Sequence, residues 1–189
     1  RIVEALPERA LLVIDEAYAE YAKLWPEVDH VDGLAVFRQC KRVVVLRTFS
    51  KAYGLAGLRV GYAVAHEPIA EALRKTAIPF GVNSLAQVAA VSSLTASDEL
   101  EVRVKELVAE RERVLEALAE QGWELSDSQA NFVWFGLGEE TAAFAAACQD
   151  AGLTVRPYGT DGARATIAER EANDRLIEVA GAFLAARRP

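Results

Sequence analysis

Residues 47–61 have the sequence Arg-Thr-Phe-Ser-Lys-Ala-Tyr-Gly-Leu-Ala-Gly-Leu-Arg-Val-Gly, and they directly follow the apolar run Val-Val-Val-Leu at residues 43–46. The β-branched run predicts a buried strand. The residues after it include two hydroxyls, a lysine, an arginine and three glycines. Glycine lets backbone approach a ligand closely, and hydroxyls, free amides and a guanidinium together suit a phosphate group. The stretch therefore predicts a ligand-binding loop at the end of a strand.

Lys51 is the candidate nucleophile of this loop. An amine that lies among cations in a partly desolvated loop is suited to nucleophilic catalysis. The alternative is a basic surface loop in which Gly54 and Gly57 serve only turns. The residues of the loop alone leave both interpretations open.

A second apolar strand is predicted at residues 11–15, where it ends in Asp15. Apolar runs without alternation are typical of a parallel sheet that is covered on both faces, and ligands bind at the carboxyl edge of such sheets. Asp15 is therefore either a ligand-binding acid or the cap of a turn. The same strand-plus-acid pattern holds Mg²⁺ in nucleotide hydrolases, although the sequence contains no Gly-x-x-x-x-Gly-Lys-Ser/Thr loop.

The character of the chain changes near residue 97. Ser97 and the acids after it predict the start of a long charged helix over 97–121. Beyond it, short strands are predicted at 123–125, 131–135, 154–156 and 163–167, with helices at 140–151 and 171–186. The sequence thus predicts an α/β chain of two domains, 1–96 with a mostly parallel sheet and 97–189 of α+β character.

Arg164 interrupts an otherwise small and apolar strand in the second domain. A charge at such a position is costly unless an anion faces it. The anion is either an internal acid or a substrate carboxylate, which arginine binds through two parallel hydrogen bonds.

Composition excludes several classes of protein. The 189 residues are 52% apolar, but the longest apolar runs have only the length of a strand, so no membrane span is expected. The net charge of −7 argues against nucleic acid. Two scattered histidines and two lone cysteines predict no metal site, and reduced cysteines favour the cytoplasm. The sequence has no methionine and begins at Arg1, so we expect a segment upstream of it.

Three blocks together resemble the fold-type I pyridoxal-phosphate aminotransferases: Ile-Asp-Glu-Ala-Tyr at 14–18, the stretch 47–62, and Ser-Gln-Ala-Asn-Phe-Val-Trp at 128–134. The chain is most similar to the histidinol-phosphate aminotransferase group. Residues 155–162, Val-Arg-Pro-Tyr-Gly-Thr-Asp-Gly, resemble its aromatic amino acid (phenylalanine) branch. The chain corresponds in this resemblance to the C-terminal half of a family member, with the end of the large, cofactor-binding domain followed by the small domain.

The resemblance implies a role for each matching residue of the first domain. Lys51 would form the internal aldimine with pyridoxal 5′-phosphate and carry a proton. Asp15 would pair with the pyridine nitrogen, and Tyr18 would bind the phenolic oxygen of the ring. The phosphate would be held by three further residues, Thr48, Ser50 and Arg59.

In the second domain the resemblance assigns Arg164 to the substrate α-carboxylate. Arg156 would bind a second anionic or polar group, and Asn131 would support the substrate side. The implied partners are amino acid and 2-oxo acid substrates and a second copy of the protein. Residues 80–84, Phe-Gly-Val-Asn-Ser, resemble the segment that approaches the cofactor of the other subunit.

The resulting hypothesis is ping-pong transamination between phenylalanine or tyrosine and a 2-oxo acid such as 2-oxoglutarate. Histidinol-phosphate transamination is the first alternative, and a pyridoxal-phosphate decarboxylase or lyase of the same fold is the second. A nucleotide-binding hydrolase is the alternative from a different class. The 189 residues alone are expected to be inactive, because part of the cofactor pocket would be missing.

Overall fold

The computed structural model describes residues 2–24 and 30–187. The chain divides into two compact units, residues 1–102 and 103–189. The helices are α1 (Ile2–Ala5), α2 (Ala19–Ala22), α3 (Gly33–Gln39), α4 (Glu67–Thr76), α5 (Ser84–Thr95), α6 (Ser97–Gln121), α7 (Thr141–Asp150) and α8 (Arg170–Ala186). The strands are β1 (Leu12–Asp15), β2 (Val43–Thr48), β3 (Gly61–Val64), β4 (Phe132–Phe135), β5 (Arg156–Tyr158) and β6 (Gly162–Thr166).

The first unit contains a three-stranded sheet in the order β1-β2-β3. Its central strand is anchored by Val43 and Val45, which are fully buried, as the β-branched run predicted. The predicted parallel pairing is confirmed for β1 and β2, in which Asp15 lies opposite Leu46. The long connection between these two strands, which includes α2 and α3, allows this direction, because parallel neighbours need a long crossover.

Strand β3 departs from the predicted parallel arrangement and runs antiparallel to β2, with Thr48 opposite Gly61. The physical reason is the connection between the two strands. The backbone N–H of Phe49 donates to the carbonyl of Val60 at 3.2 Å, so that the loop closes at its base and returns the chain beside β2. No crossover intervenes, and only the antiparallel direction is available.

Residues 84–94 have a small and apolar sequence, which predicts a buried helix, and α5 forms there. Only Ala86 and Ala90 on it are buried, where they pack with Phe49 and Val60. Leu85, by contrast, is 76% exposed. The prediction is wrong for the face that carries Leu85. Apolar residues are spread around this helix, and such a pattern does not indicate which of its faces other elements cover.

The second unit packs α6, α7 and α8 on an antiparallel sheet of order β4-β6-β5. Its core is aromatic and aliphatic, with Leu118, Phe135 and Phe144 fully buried. The strand predicted at 123–125 is absent from the described structure. Instead, the N–H of Trp123 donates to the carbonyl of Leu118, which ends α6, and its ring packs edge-on against Phe135.

Candidate functional site

Asp15 ends β1 at the carboxyl edge of the parallel pair. Its side chain is exposed, and its Oδ1 atom accepts a hydrogen bond from the backbone N–H of Ala17 at 3.0 Å. This bond turns the chain sharply after the strand, as aspartate does when it binds the backbone two residues on. The interpretation of Asp15 as the cap of a turn is therefore confirmed. Its interpretation as a ligand-binding acid stays a prediction, which the exposed carboxylate at the sheet edge allows.

Lys51 and Tyr18 meet at the same edge. Tyr18 precedes α2, three residues after Asp15, and Lys51 follows β2, which pairs with β1. The Nζ atom of Lys51 lies 5.4 Å from the centroid of the Tyr18 ring, within cation–π range. The first unit thus brings the amine and the phenol together, at two neighbouring strand ends of which one carries Asp15. The resemblance assigns these three residues to one cofactor.

The remaining candidates of the first unit lie at the two ends of the loop 49–60. The Oγ1 atom of Thr48 accepts a hydrogen bond from the N–H of Ser50 at 3.0 Å. Because Phe49 and Val60 are joined by a backbone hydrogen bond, Arg59 returns beside this turn. The hydroxyls and the guanidinium that suit a phosphate therefore belong to one closed loop.

Arg59 has a left-handed backbone, with φ of 53°. An L-residue with a side chain adopts this conformation at a cost, and such residues are concentrated at functional sites. The exposed side chain donates from Nη1 to the carbonyl of Ala56 at 2.8 Å. At Gly57, two residues earlier, an added Cβ would meet no atom within 4 Å, so the loop is open at that position.

Sequence analysis missed an ion pair between Glu16 and Arg47. Glu16 is buried, and its Oε2 atom accepts from Nε and Nη2 of Arg47 at 2.9 and 2.7 Å. Burial by itself lowers the pKa of Arg47, but the hydrogen bond and charge of Glu16, with a smaller contribution from Tyr62, raise it overall. The available signal was that opposite charges end two neighbouring strands.

Tyr53 lies in the loop and packs against Phe49, with ring centroids 4.8 Å apart. Burial raises the pKa of this phenol, and the negative charge of Glu20 raises it further. Tyr53 is therefore a neutral packing residue of the loop at neutral pH.

In the second unit the two candidate arginines face each other across β5 and β6, since Arg156 is the register partner of Arg164. The guanidinium of Arg164 lies 5.2 Å from the Phe132 ring and 6.0 Å from the Tyr158 ring. That of Arg156 lies 5.1 Å from the Tyr158 ring. Like charges directly opposite are unfavourable unless an anion or ring faces balance them, so this pair is suited to binding an anion.

Asn131, the third candidate of this unit, immediately precedes β4. Its backbone carbonyl accepts from the N–H of Ile167 at 2.9 Å, immediately after β6. Asn131 thereby joins the ends of the two strands that carry Phe132 and Arg164.

Two kinds of feature are absent from the part of the chain that the structure describes. Within 2–24 and 30–187, no helix is both long and apolar enough to cross a bilayer. Over the same residues, no three side chains of histidine, cysteine, aspartate or glutamate are grouped so that they could hold a metal ion. The cysteines Cys40 and Cys148 are both free.

A family model described as aminotransferase class I and II matches residues 1–179. Aromatic amino acid aminotransferases of Streptomyces avermitilis and Thermobifida fusca are 57% and 50% identical to the chain over 183 and 181 residues. These matches cover 97% and 96% of this chain and 50% of each relative. The chain thus spans about half the length of the curated relatives it matches.

Solved structures give a similar result. The histidinol-phosphate aminotransferase of Sinorhizobium meliloti, in complex with pyridoxal-5′-phosphate, is 32% identical and superimposes with a TM-score of 0.80. The match covers 97% of this chain and 53% of that chain. This similarity extends over both units.

Proposed function

The chain belongs to the class I and II aminotransferases, and from this membership we propose that a protein containing it transfers the amino group of phenylalanine or tyrosine to a 2-oxo acid such as 2-oxoglutarate. The observation that carries the proposal is the meeting of Lys51 and Tyr18 beside Asp15 at one sheet edge. The names of the relatives, aromatic amino acid aminotransferases, support the substrate class.

The residues of the first unit fit pyridoxal 5′-phosphate in their chemistry. Two adjacent strand ends and one closed loop carry an exposed carboxylate, a phenol, an amine and several hydrogen-bond donors that suit a phosphate. The space at Gly57 and the exposure of Arg59 leave the loop accessible to an anion. When bound, pyridoxal phosphate accepts the electron pair that is left at the substrate α-carbon.

Three side chains would serve the ring and the proton transfer. The carboxylate of Asp15 would hold a proton on the pyridine nitrogen, because an anion stabilises the protonated base. The Nζ atom of Lys51 would bind the cofactor and move the proton at the α-carbon. The hydroxyl of Tyr18 would donate to the phenolic oxygen of the ring.

The phosphate would be bound by Thr48, Ser50 and Arg59. The closed base of the loop returns Arg59 towards the strand end that carries the hydroxyls, so little conformational freedom would be lost on binding. Charge-assisted hydrogen bonds from the guanidinium supply most of the attraction.

In the second unit we assign Arg164 to the α-carboxylate of the amino acid. Its guanidinium is held against two aromatic faces, which leaves the N–H edges of the fork for a carboxylate. Arg156 would bind a further anionic or polar group, such as the second carboxylate of the 2-oxo acid. Asn131 would support the substrate side of β4.

Histidinol phosphate is the second candidate substrate, and the 32% identical structure from Sinorhizobium meliloti favours it. The ratio of kcat/KM for phenylalanine to that for histidinol phosphate decides between the two. A higher value for phenylalanine supports the aromatic assignment, and a higher value for histidinol phosphate replaces it.

We further propose that the active protein has about the length of its relatives, forms a homodimer and resides in the cytoplasm, and that this chain alone is inactive. The match covers only 50% of the relative from Streptomyces avermitilis, which supports the greater length proposed for the active protein. The segment 80–84 supports the dimer, since Phe80 is fully exposed with φ of 58°. The two free cysteines are compatible with a reducing compartment.

The test is to incubate the whole protein with pyridoxal phosphate, reduce it with borohydride and measure the intact and peptide masses. We expect one pyridoxyl phosphate group on Lys51. Lys51→Ala should lose both the adduct and the transamination, whereas the control Lys75→Ala, an exposed lysine paired with Glu71, should keep both. An unlabelled Lys51, or full activity in Lys51→Ala, would contradict the proposal.

A further inference from the structure

Glu16 accepts hydrogen bonds from two separate segments. Its Oε2 atom takes both donors of the Arg47 fork, and its Oε1 atom accepts from the backbone N–H of Gly33 at 2.6 Å. The side chain is 4% exposed, so these bonds are largely shielded from water. One carboxylate therefore joins the end of β1, the end of β2 and the start of α3.

The carboxylate of Glu16 is closely packed against Gly33. A Cβ added at Gly33 would lie 2.7 Å from Oε1 of Glu16, so only glycine fits against the carboxylate there. Asp32, which caps α3 by accepting from the N–H of Leu34, lies 3.6 Å from Nη2 of Arg47. The guanidinium of Arg47 thus contacts two carboxylates, those of Glu16 and Asp32. Glu16 is in turn bound by the backbone N–H of Gly33.

The position of this pair in the sequence connects it to the site. Glu16 directly follows Asp15, and its N–H donates to the carbonyl of Leu46 at 2.9 Å. Arg47 directly precedes Thr48 and lies four residues before Lys51. A shift of Glu16 against Arg47 would therefore change the spacing between the strand-end acid and the amine.

We propose that the Glu16–Arg47 pair is a positioning device, which sets the distance between Asp15 and the Thr48–Lys51 turn so that both engage one cofactor molecule. The inference rests on the proposed function and adds two positioning residues to it. Neither residue needs to touch the cofactor. Each acts through the backbone of its neighbour.

The geometry of the pair requires both glutamate at position 16 and arginine at position 47. Arg47→Lys keeps the charge but replaces the Nε–Nη2 fork with a single donor centre. Glutamine at position 16 has one acceptor and one donor group, so it serves Gly33 but opposes part of the Arg47 fork. Both substitutions keep approximate size while loosening the link.

The experiment compares the dissociation constant of pyridoxal phosphate for the whole protein and its variants, with thermal unfolding of the cofactor-free forms. We expect Glu16→Gln and Arg47→Lys each to bind pyridoxal phosphate about tenfold more weakly. Arg113→Lys disrupts an ion pair of the same type in the second unit, where Arg113 donates to both carboxylate oxygens of Glu110. Its dissociation constant should equal that of the wild type.

The double variant Glu16→Gln/Arg47→Met separates positioning from stability. It removes both charges of the buried pair and keeps an acceptor for Gly33, and Asp32, whose side chain is 44% exposed, still accepts from the N–H of Leu34, so the cofactor-free protein should unfold close to the wild-type temperature. We expect its affinity for pyridoxal phosphate to remain about tenfold weaker. A stable double variant that binds as tightly as the wild type would overturn the inference and leave the proposed function intact. Absence of binding by the wild type would overturn both.

Discussion

A single buried amide, Asn173, holds the turn that follows β6. Its Nδ2 atom donates to the carbonyl of Ala168 at 2.8 Å and to Oε1 of Glu110 at 3.1 Å, and its Oδ1 atom accepts from the N–H of Ala168 at 3.0 Å. The residue is 1% exposed, so water does not reach its amide and the amide depends on these protein partners. The turn that ends the Arg164 strand therefore depends on one side chain.

We expect Asn173→Ala to lower the free energy of unfolding by about 2–3 kcal/mol, because it removes three hydrogen bonds that a buried side chain makes to Ala168 and Glu110. Urea unfolding of the two proteins measures the difference. Thr141→Ala is the matched control, since Thr141 is equally buried but donates one hydrogen bond, to Gly138. Its loss should be about 1 kcal/mol, and equal losses would argue against a special role for Asn173.

At the scale of elements, the second sheet depends on the close approach of β4 and β6 at Gly162. Its φ is 155°, and an added Cβ would lie 2.1 Å from the carbonyl oxygen of Phe135 and 2.8 Å from the Trp134 ring. The neighbour that would have to move is backbone within a strand. Only glycine allows the register in which Phe135 lies opposite Ala163.

Gly162→Ala should therefore lower the free energy of unfolding by about 3 kcal/mol, since the strands must separate to admit the methyl group. Gly159→Ala tests the alternative that positive φ is the whole effect. Gly159 has φ of 52°, and a Cβ there meets nothing within 4 Å, so we expect a loss of about 1 kcal/mol. Similar unfolding midpoints for the two variants would contradict the packing argument.

Local sequence signals explain which elements could be predicted. Helix α6 begins and ends where it was predicted, because Ser97, the acids after it and Gly122 are local start and stop signals. The strand predicted at 123–125 failed because Trp123 is recruited into the core instead. Aromatic residues favour strands only where a neighbouring strand is available.

At the scale of the whole molecule, the acidic chain carries a charge network between α6 and α8. Glu110 accepts from both Arg113 and Asn173, Arg113 also binds Asp174 at 2.6 Å, and Arg170 lies 3.7 Å from Glu110. The hydrogen bond from Arg113 is the largest cause of a lowered pKa at Glu110, which burial partly opposes. The network therefore makes the stability of the chain depend on pH.

The sign of that dependence follows from the direction of the shift. Because the pKa of Glu110 is lower in the folded than in the unfolded chain, its contribution is present above the ordinary value of 4.5 and is lost as the pH falls through the folded value. We expect the difference in unfolding free energy between wild type and Glu110→Gln to shrink as the pH is lowered below 4.5. Urea unfolding from pH 7 to 3 measures it, and a constant difference would contradict the assignment.

The sequence by itself determined the α/β class, the family resemblance and the order of the candidate residues, since strand runs, helix caps and glycine loops are written in neighbouring positions. It also placed Lys51 after one strand and Asp15 at the end of another. Only the tertiary structure decided that Nζ of Lys51 lies 5.4 Å from the Tyr18 ring, that Glu16 binds Arg47, and that β3 runs antiparallel. These depend on contacts between segments far apart in the chain, and their energies are set by packing and burial, to which local preferences contribute little.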